Sequence, residues 1–439
     1  MKMSKSNKKL KGDWNIFKFK ECITQLNTGL NPRNNFSLGS GNIKYITAKN
    51  LTEYGTIDFS RSDCIDETAK NIINKRSDIR VGDILFSSRA PIGHCHLIKE
   101  KPDYFDIGES IFSIRPNRLV VLPEYLSLYL TSDLFIKSAS KHITGTVIQE
   151  IRVGDLMNTQ IIVPPLRVQE KIAECIGSID KKIAINNKIN DNLSKAESTL
   201  YEYWFLQFEF PNDADCPYKS SGGKMVYNSR LKLNVPQNWV FRSMAGSYII
   251  ERGISYTSAE IADGIGVPML NLACIDKNRN YRDGELKFIN GQVSNDKLIQ
   301  PGDLLIACTD LTRNADIVGC PILVPDDGVR YTYSMDMARL LPDPKIFNGY
   351  YLYSALRQPF YHNYIKQYAS GTNVMHLNLD GIGWYKMLVP PLSIQQRYGQ
   401  IVQNMHKERS RILVENRKLQ AIRSLILPML MSGQVTIAD

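Results

Sequence analysis

The chain has 439 residues, 43% of them hydrophobic, which is more than one ordinary core holds and predicts two folded domains. Its 54 Lys and Arg against 44 Asp and Glu give a formal charge of +10, a balance suited to a polyanionic partner, because neutralising phosphates releases counterions. No apolar run reaches the roughly eighteen residues of a membrane span, and the start lacks the apolar core of a secretory signal. Residues 1–12 are Lys-rich and polar and are expected to form a flexible basic tail. From 13 to 165 short apolar runs alternate with Gly, Asn, Asp and Ser turns; 43–47 and 83–86 read as strands and 124–138 as an amphipathic helix. The region is therefore α+β. Pro164-Pro165 stops its last strand, since neither ring donates a backbone hydrogen bond.

A long helix is predicted over 166–207. Stepping alternately four and three residues from Ile172 gives Ile176, Ile179, Ile183, Asn186, Asn190, Leu193, Glu197 and Leu200, with six of the nine positions apolar. A connector follows at 208–237, marked by Pro211, Pro217, Ser220-Ser221-Gly222-Gly223 and Pro236. The order of parts then starts again. Residues 238–391 form a second mixed region, with a strand at 303–306 and an amphipathic helix at 349–367, closed by Pro390-Pro391. Residues 392–439 give a second long helix and a closing turn. Its stripe is Tyr398, Val402, Met405, Arg409, Ile412, Asn416, Leu419, Arg423 and Ile426. Pro428 inside this pattern predicts a kink or an early stop.

The doubling is explicit in the residues. Val163-Pro164-Pro165-Leu166 recurs as Val389-Pro390-Pro391-Leu392, and 389 − 163 = 226. The same shift carries Gly145-Thr146 onto Gly371-Thr372 and Gln169 onto Gln395. Upstream, Trp14 answers Trp239 at a shift of 225, and Gly82-Asp83-Ile84-Leu85 answers Gly302-Asp303-Leu304-Leu305 at 220. The drift puts insertions and deletions between Trp14 and Gly145, as expected of a fixed frame carrying divergent loops. Five apolar stripe positions coincide under the 226 shift: Ile172/Tyr398, Ile176/Val402, Ile179/Met405, Leu193/Leu419 and Leu200/Ile426. Neither helix buries such a stripe alone, so a coiled coil between them is expected, with burial against the globular regions as the competing reading.

Catalytic motifs are missing. Both Pro-Pro pairs are flanked by Val and Leu, which cannot hold a flipped adenine as an Asn-Pro-Pro-aromatic loop does. Gly222-Gly223-Lys224 lacks the glycine spacing of a phosphate-binding loop. The eight cysteines are scattered, which fits a reducing cytoplasm, and His94-Cys95-His96 lacks a third ligand and reads as packing. No metal and no catalysis are expected of this chain. An enzyme with an unrecognised site is disfavoured on these grounds. A coiled-coil scaffold with two protein-binding ends is separated from a DNA reader by salt-dependent, sequence-selective DNA binding.

Two segments then carry a resemblance. Residues 201–211 (Tyr-Glu-Tyr-Trp-Phe-Leu-Gln-Phe-Glu-Phe-Pro) with 217–223 look like the central region of type I restriction-modification specificity subunits. The ending 425–435 looks like the same family's closing helix and Ser-Gly turn. The doubled Gly-Asp-Ile/Leu-Leu strand, the Gly-Thr segment and the Gln three residues after Val-Pro-Pro-Leu also match. The resemblance spans nearly the whole chain, in order and twice over. It implies two globular target-recognition domains, 13–165 and 238–391, each reading half of a bipartite asymmetric sequence in double-stranded DNA. It further implies that the two long helices form an antiparallel coiled coil about a pseudo-twofold axis, set the gap and dock two modification subunits. Two restriction subunits complete the nuclease in some systems. S-adenosylmethionine, ATP and Mg are then cofactors of the partner subunits, with none in this chain. A related system, in which one partner polypeptide both cleaves and methylates, remains the alternative.

Within that reading the base and phosphate contacts are expected from polar side chains on the divergent loops. The first domain supplies Arg33, Asn34, Asn35, Lys44 and Arg89, and the second Arg252, Tyr256, Thr309 and Arg313. Lys141 with Thr146, and Lys366 with Thr372, flank the repeated Gly-Thr. Helix pairing is expected from Ile172, Ile176, Ile179, Asn190, Leu193 and Leu200. Their counterparts are Tyr398, Val402, Met405, Asn416, Leu419 and Ile426. Because 416 − 190 = 226, Asn190 and Asn416 are expected to hydrogen-bond near the axis, directly or through water, and so fix register.

Overall fold

The computed structural model describes residues 13–52, 55–140, 150–262, 264–276, 278–284 and 286–437. The expected basic tail and the pair Lys141/Thr146 lie outside the described residues. The chain divides into two compact units, Met1–Ile183 with Leu419–Asp439, and Ala184–Lys418.

In the first unit Asn15–Lys18 pairs antiparallel with Gln160–Val163, so the chain's entry into the globular region is zipped to its exit. The main sheet has the order Ile23–Thr28, Ile111–Pro116, Ile84–Ser87, Cys95–Leu97. A second sheet sets Ile43–Ile46 between Asp63–Ile65 and a parallel neighbour, Phe105–Ile107. The second unit repeats this topology by itself. Val240–Ser243 zips to Lys386–Val389. Its main sheet runs Tyr248–Arg252, Met337–Pro342, Leu304–Ala307, Pro321–Leu323, and its other sheet again holds a parallel pair, Val267–Leu270 with Thr332–Tyr333.

The Gly-Asp motif has a structural cause. Gly82 and Gly302 adopt φ of 91° and 82°, a turn that disfavours a side chain. The next carboxylates accept from the backbone N–H three residues back, Arg80 at 2.9 Å and Gln300 at 2.7 Å. Each also pairs with an arginine of the neighbouring strand, Asp83 with Arg115 at 2.8 Å and Asp303 with Arg339 at 3.0 Å. The following apolar residues then enter the fully buried central strands.

Both amphipathic helices differ from expectation, because each is two helices. The run at 124–138 is Pro123–Leu130 and Asp133–Ser140; that at 349–367 is Gly349–Leu356 and Pro359–Ile365. Ser132 breaks the first, its hydroxyl donating to Tyr129 O at 2.6 Å and accepting from Phe135 N at 3.4 Å. Pro359 breaks the second and starts the next helix, where its missing N–H costs nothing.

The first long helix is Leu166–Tyr201, followed by a wider turn over Glu202–Leu206 that Gln207 N closes onto Glu202 O at 2.9 Å. The second is Leu392–Met431, so of the kink or early stop expected at Pro428 the stop is corrected. The proline removes one bond near the end of the helix, while Leu427, Leu430 and Met431 are buried and hold the last turn. Gln169 and Gln395, which began as letters in a repeat, fasten each helix start to its own globular region. Gln169 accepts from Leu122 N (2.8 Å) and donates to Val120 O (3.0 Å) and Pro164 O (2.8 Å). Gln395 accepts from Asn348 N (3.0 Å) and donates to Ile346 O (3.0 Å) and Pro390 O (2.8 Å). All three bonds repeat at the 226 shift.

The helix stripes are buried unevenly. Ile172 and Ile176 join a core that holds Leu427 and Leu430 together with Trp14, Tyr125 and Phe135. Tyr398 and Val402 join one built from Tyr201, Trp204, Phe205 and Tyr351. The globular regions therefore take much of the stripe ends, as the competing reading had it. Ile179, Met405, Leu193, Leu419, Leu200 and Ile426 are half-buried. In the second unit the contacts run antiparallel. Asn186 Nδ2 donates to Asn416 Oδ1 at 2.8 Å, and Arg409 lies 3.6 Å from Glu197. The polar interruptions of one stripe thus answer those of the other. Asn416 is bonded to Asn186 and, through Nδ2 at 3.0 Å, to Asn187, rather than to Asn190. Asn190 sits one turn further on, its Oδ1 buried without a hydrogen-bond partner. Among the described residues no helix is long and apolar enough to cross a membrane.

Candidate nucleic-acid interface

In the second unit most of the expected contact residues gather at one end of the main sheet. Arg252 ends the edge strand, is exposed, and donates through Nη1 to Met335 O at 3.4 Å. Lys297 Nζ donates to Arg252 O at 2.9 Å. Ser255 Oγ reaches the Met335 sulfur at 3.4 Å, and Tyr256 next along accepts from Lys287 Nζ at 3.0 Å, the ammonium lying 5.1 Å from the ring centroid. Thr309–Asp310 pairs with Met375–Leu377, which pairs in turn with Ala369–Ser370. Between these last two strands lies the Gly371-Thr372 turn. Gly371 has φ of 147°, and a Cβ there would lie 1.9 Å from Val374 O, so the turn admits only glycine. Thr372 and His376 are exposed on this hairpin, and Lys366 is exposed just before it. Arg313 is exposed on a loop that Asp310 closes by accepting from Thr312 N (2.7 Å) and Ile317 N (2.8 Å).

Thr309 itself is a correction. It is only 4% exposed and its hydroxyl donates to Asp336 at 3.0 Å, so it supports the rim and does not reach a ligand.

In the first unit the equivalent rim is built from ion pairs. Arg89 donates to Glu109 at 2.9 Å and to Glu150 at 3.1 Å. Glu109 also accepts from Asn31 at 2.7 Å; that bond, with Arg89 beside it and the charge of Arg33 nearby, holds its carboxyl below the usual range. Arg33, Asn34 and Asn35 are exposed on the adjoining loop, where Asn35 Nδ2 donates to Asn31 O at 3.0 Å. Lys44 is the second correction. It lies within the strand Ile43–Ile46, half-buried, with Nζ 3.3 Å from Cys64 Sγ.

Sequence reasoning missed Asn31, Glu109, Lys287, Lys297 and Met335. One signal was available, since 335 − 109 = 226 places Glu109 and Met335, the partners of Arg89 and Arg252, at the same point of the repeat. His94 and His96 hold a loop, each donating Nδ1–H at 2.8 Å, to Leu51 O and Gly55 O. Burial in the core of the first unit pushes the Cys95 thiol up. Among the described residues no cluster of His, Cys, Asp or Glu is arranged to hold a metal ion.

Residues 11–195 match the family model described as the type I restriction modification DNA specificity domain. The chain is 25% identical to the MjaIX type I restriction enzyme specificity subunit of Methanocaldococcus jannaschii, covering 98% of this chain and 95% of that protein. It is 22% identical to the HindI specificity subunit of Haemophilus influenzae, over 81% and 87% of the two chains. The chain is thus similar, over nearly its whole length, to type I restriction-modification specificity subunits. Its fold agrees with that of the crystallised S subunit from M. genitalium at a TM-score of 0.53, with 16% identity over 97% of this chain and 98% of that one. The rims described above carry different side chains in the two copies of the frame, Arg89 in one and Thr309 in the other.

Proposed function

We propose that each globular region, 13–165 and 238–391, reads one half of a bipartite, asymmetric DNA target. The long helices hold the two readers at a set spacing and dock two modification subunits, to which restriction subunits add. Methyl transfer, with S-adenosylmethionine, and ATP-driven cleavage with Mg then reside in those partners, and this chain performs no chemistry of its own. The complex works in the cytoplasm.

One observation carries this reading. The same frame occurs twice, down to the glutamine bonds, yet the equivalent rim positions Arg89 and Thr309 (309 − 89 = 220) carry different chemistry. Two readers with one frame and two surfaces suit an asymmetric target. The side chains offered to DNA are Arg33, Asn34 and Asn35 in the first region, and Arg252, Tyr256, Arg313, Lys366 and Thr372 in the second. Arg89 must leave two carboxylates to do the same, so it is assigned to ordering the rim. A helix of 36 residues is roughly 54 Å long, longer than one DNA turn of about 34–36 Å, which leaves an unread gap between the half-sites.

The test is an exchange. Residues 14–163 are replaced by those of another family member, and methylated adenines are mapped in DNA treated with the chain and its modification subunit. Only one half of the target changes. A folded hybrid that alters both halves overturns the two-reader assignment.

A further inference from the structure

The second globular region is held to the helix that follows it at two places far apart. The nearer is Gln395, with the three bonds given above. The further is Arg417, and 417 − 395 = 22 residues is about 33 Å along the helix. Between them a row of side chains on one helix face takes hold of a single loop. His406 donates Nε2–H to Val324 O at 2.9 Å, and Ser410 Oγ accepts from Asp326 N at 2.9 Å. Arg417 ends the row and uses its whole fork. Nε and Nη2 donate to the two oxygens of Asp283 at 2.5 and 2.7 Å, and Nη1 to Asp327 at 2.6 Å. Nη2 also donates to the Tyr331 hydroxyl at 3.1 Å, which itself donates to Asp327 at 2.6 Å.

Arg417 thus ties two separate loops to one point of the helix. The Asp327 side chain is 0% exposed, so its charge depends on the guanidinium beside it. A planar fork with fixed donor directions sets angle as well as distance, which a lone ammonium does not. A body fastened at one point turns about it; a second fastening about 33 Å away removes that swing. The sequence does not repeat this clamp. The 226 shift sets Asp180, Ala184 and Asp191 at the places of His406, Ser410 and Arg417. It sets Glu100, Lys101 and Phe105 at those of Asp326, Asp327 and Tyr331. The zipped ends, the sheet order and the glutamine bonds all recur in the first unit without these residues. The clamp is therefore an addition to the frame and not a condition of it.

We propose that Arg417 is a positioning residue for DNA recognition. Through Asp283 and Asp327 it fixes the angle of the second globular region on its helix, and thereby restricts the target to one gap length. The inference rests on the reading of two half-sites given above. One base pair is about 3.4 Å and about a tenth of a turn, so a swing of a few ångström at the rim lets the second half-site be met one pair nearer or further. The bases read in each half depend on the rim side chains, which the clamp does not touch.

The test uses the full chain in complex with its modification subunit. DNA carrying the mapped half-sites is supplied at the native gap and at gaps slightly shorter or longer, and methylation at each gap is measured. The native chain is expected to prefer one gap by roughly a hundredfold, since small misplacements cost that much. Arg417→Lys keeps a charge for Asp327 but loses the fork. Arg417→Met with Asp327→Asn removes the buried pair without stranding either charge. Both are expected to bring neighbouring gaps to within about tenfold of the native one, with the half-site sequences unchanged. Native discrimination retained by both variants overturns the proposal. So does an equal fall at every gap, which makes Arg417 structural only. A native target with no unread gap overturns the two-reader reading itself, and the proposal with it.

Discussion

The two units are one frame finished in two ways. Both zip their ends with the same antiparallel pair, both order the main sheet identically, and both fasten their helix through a buried glutamine with three bonds. They part company at the rim. There the first unit clamps Arg89 between two carboxylates, while the second packs a threonine against Asp336 beneath a hairpin. Buried backbone groups tolerate few solutions, because an unmade bond costs about as much as the whole contribution of several surface contacts. Exposed rim side chains such as Arg313 and Thr372 face solvent and are under less constraint. The comparison therefore separates what the fold requires from what it leaves free to vary.

The largest effect expected is at the shared frame. Gln169→Leu and Gln395→Leu each strand one N–H and two carbonyls in buried surroundings, and each is expected to cost about 4 kcal/mol in chemical denaturation. The two losses match if the frame is shared. A loss above about 2 kcal/mol at one glutamine and none at the other breaks the comparison.

The next effect belongs to the first unit. Asp106 is buried there, with Oδ1 accepting from Ser77 at 2.7 Å and Oδ2 unpartnered, and burial pushes its carboxyl up to about 6. Because the folded pKa is above the unfolded one, the stability it gives is fully present below the ordinary carboxylate range. That stability is lost as pH rises through about 6. The first unit is expected to lose about 2–3 kcal/mol between pH 4 and pH 7 from this group, and Asp106→Asn to flatten that part of the profile. Unfolding midpoints measured across this window check it; an unchanged slope in the variant removes Asp106 as the cause.

The smallest effect distinguishes two asparagines at one repeat position. Asn416→Leu removes the bonds to Asn186, which keeps Glu415 at 2.9 Å, and to Asn187, and is expected to destabilise by about 1 kcal/mol. Asn190→Leu removes a buried, unbonded oxygen and is expected to be neutral or to stabilise by about 0.5 kcal/mol. Melting curves of the two variants check the sign. Equal destabilisation by both restores a symmetric role for the pair.

The sequence by itself determined the doubled order of parts, the α+β character, the long helices and the strands that follow Gly82 and Gly302. These rest on local chemistry: a proline pair that ends a strand, a glycine that admits a positive φ, and apolar residues at helical spacing. It also marked Gln169 and Gln395 as equivalent, without a reason. Only the tertiary structure decided that Asn416 meets Asn186 in place of Asn190. The pairing of two helices is set by axial offset and by what the globular cores take from the stripe ends, neither of which is written in spacing along one chain. It alone turned Lys44 toward Cys64 and buried Thr309, because both lie in short strands whose faces are set by partners far away in sequence.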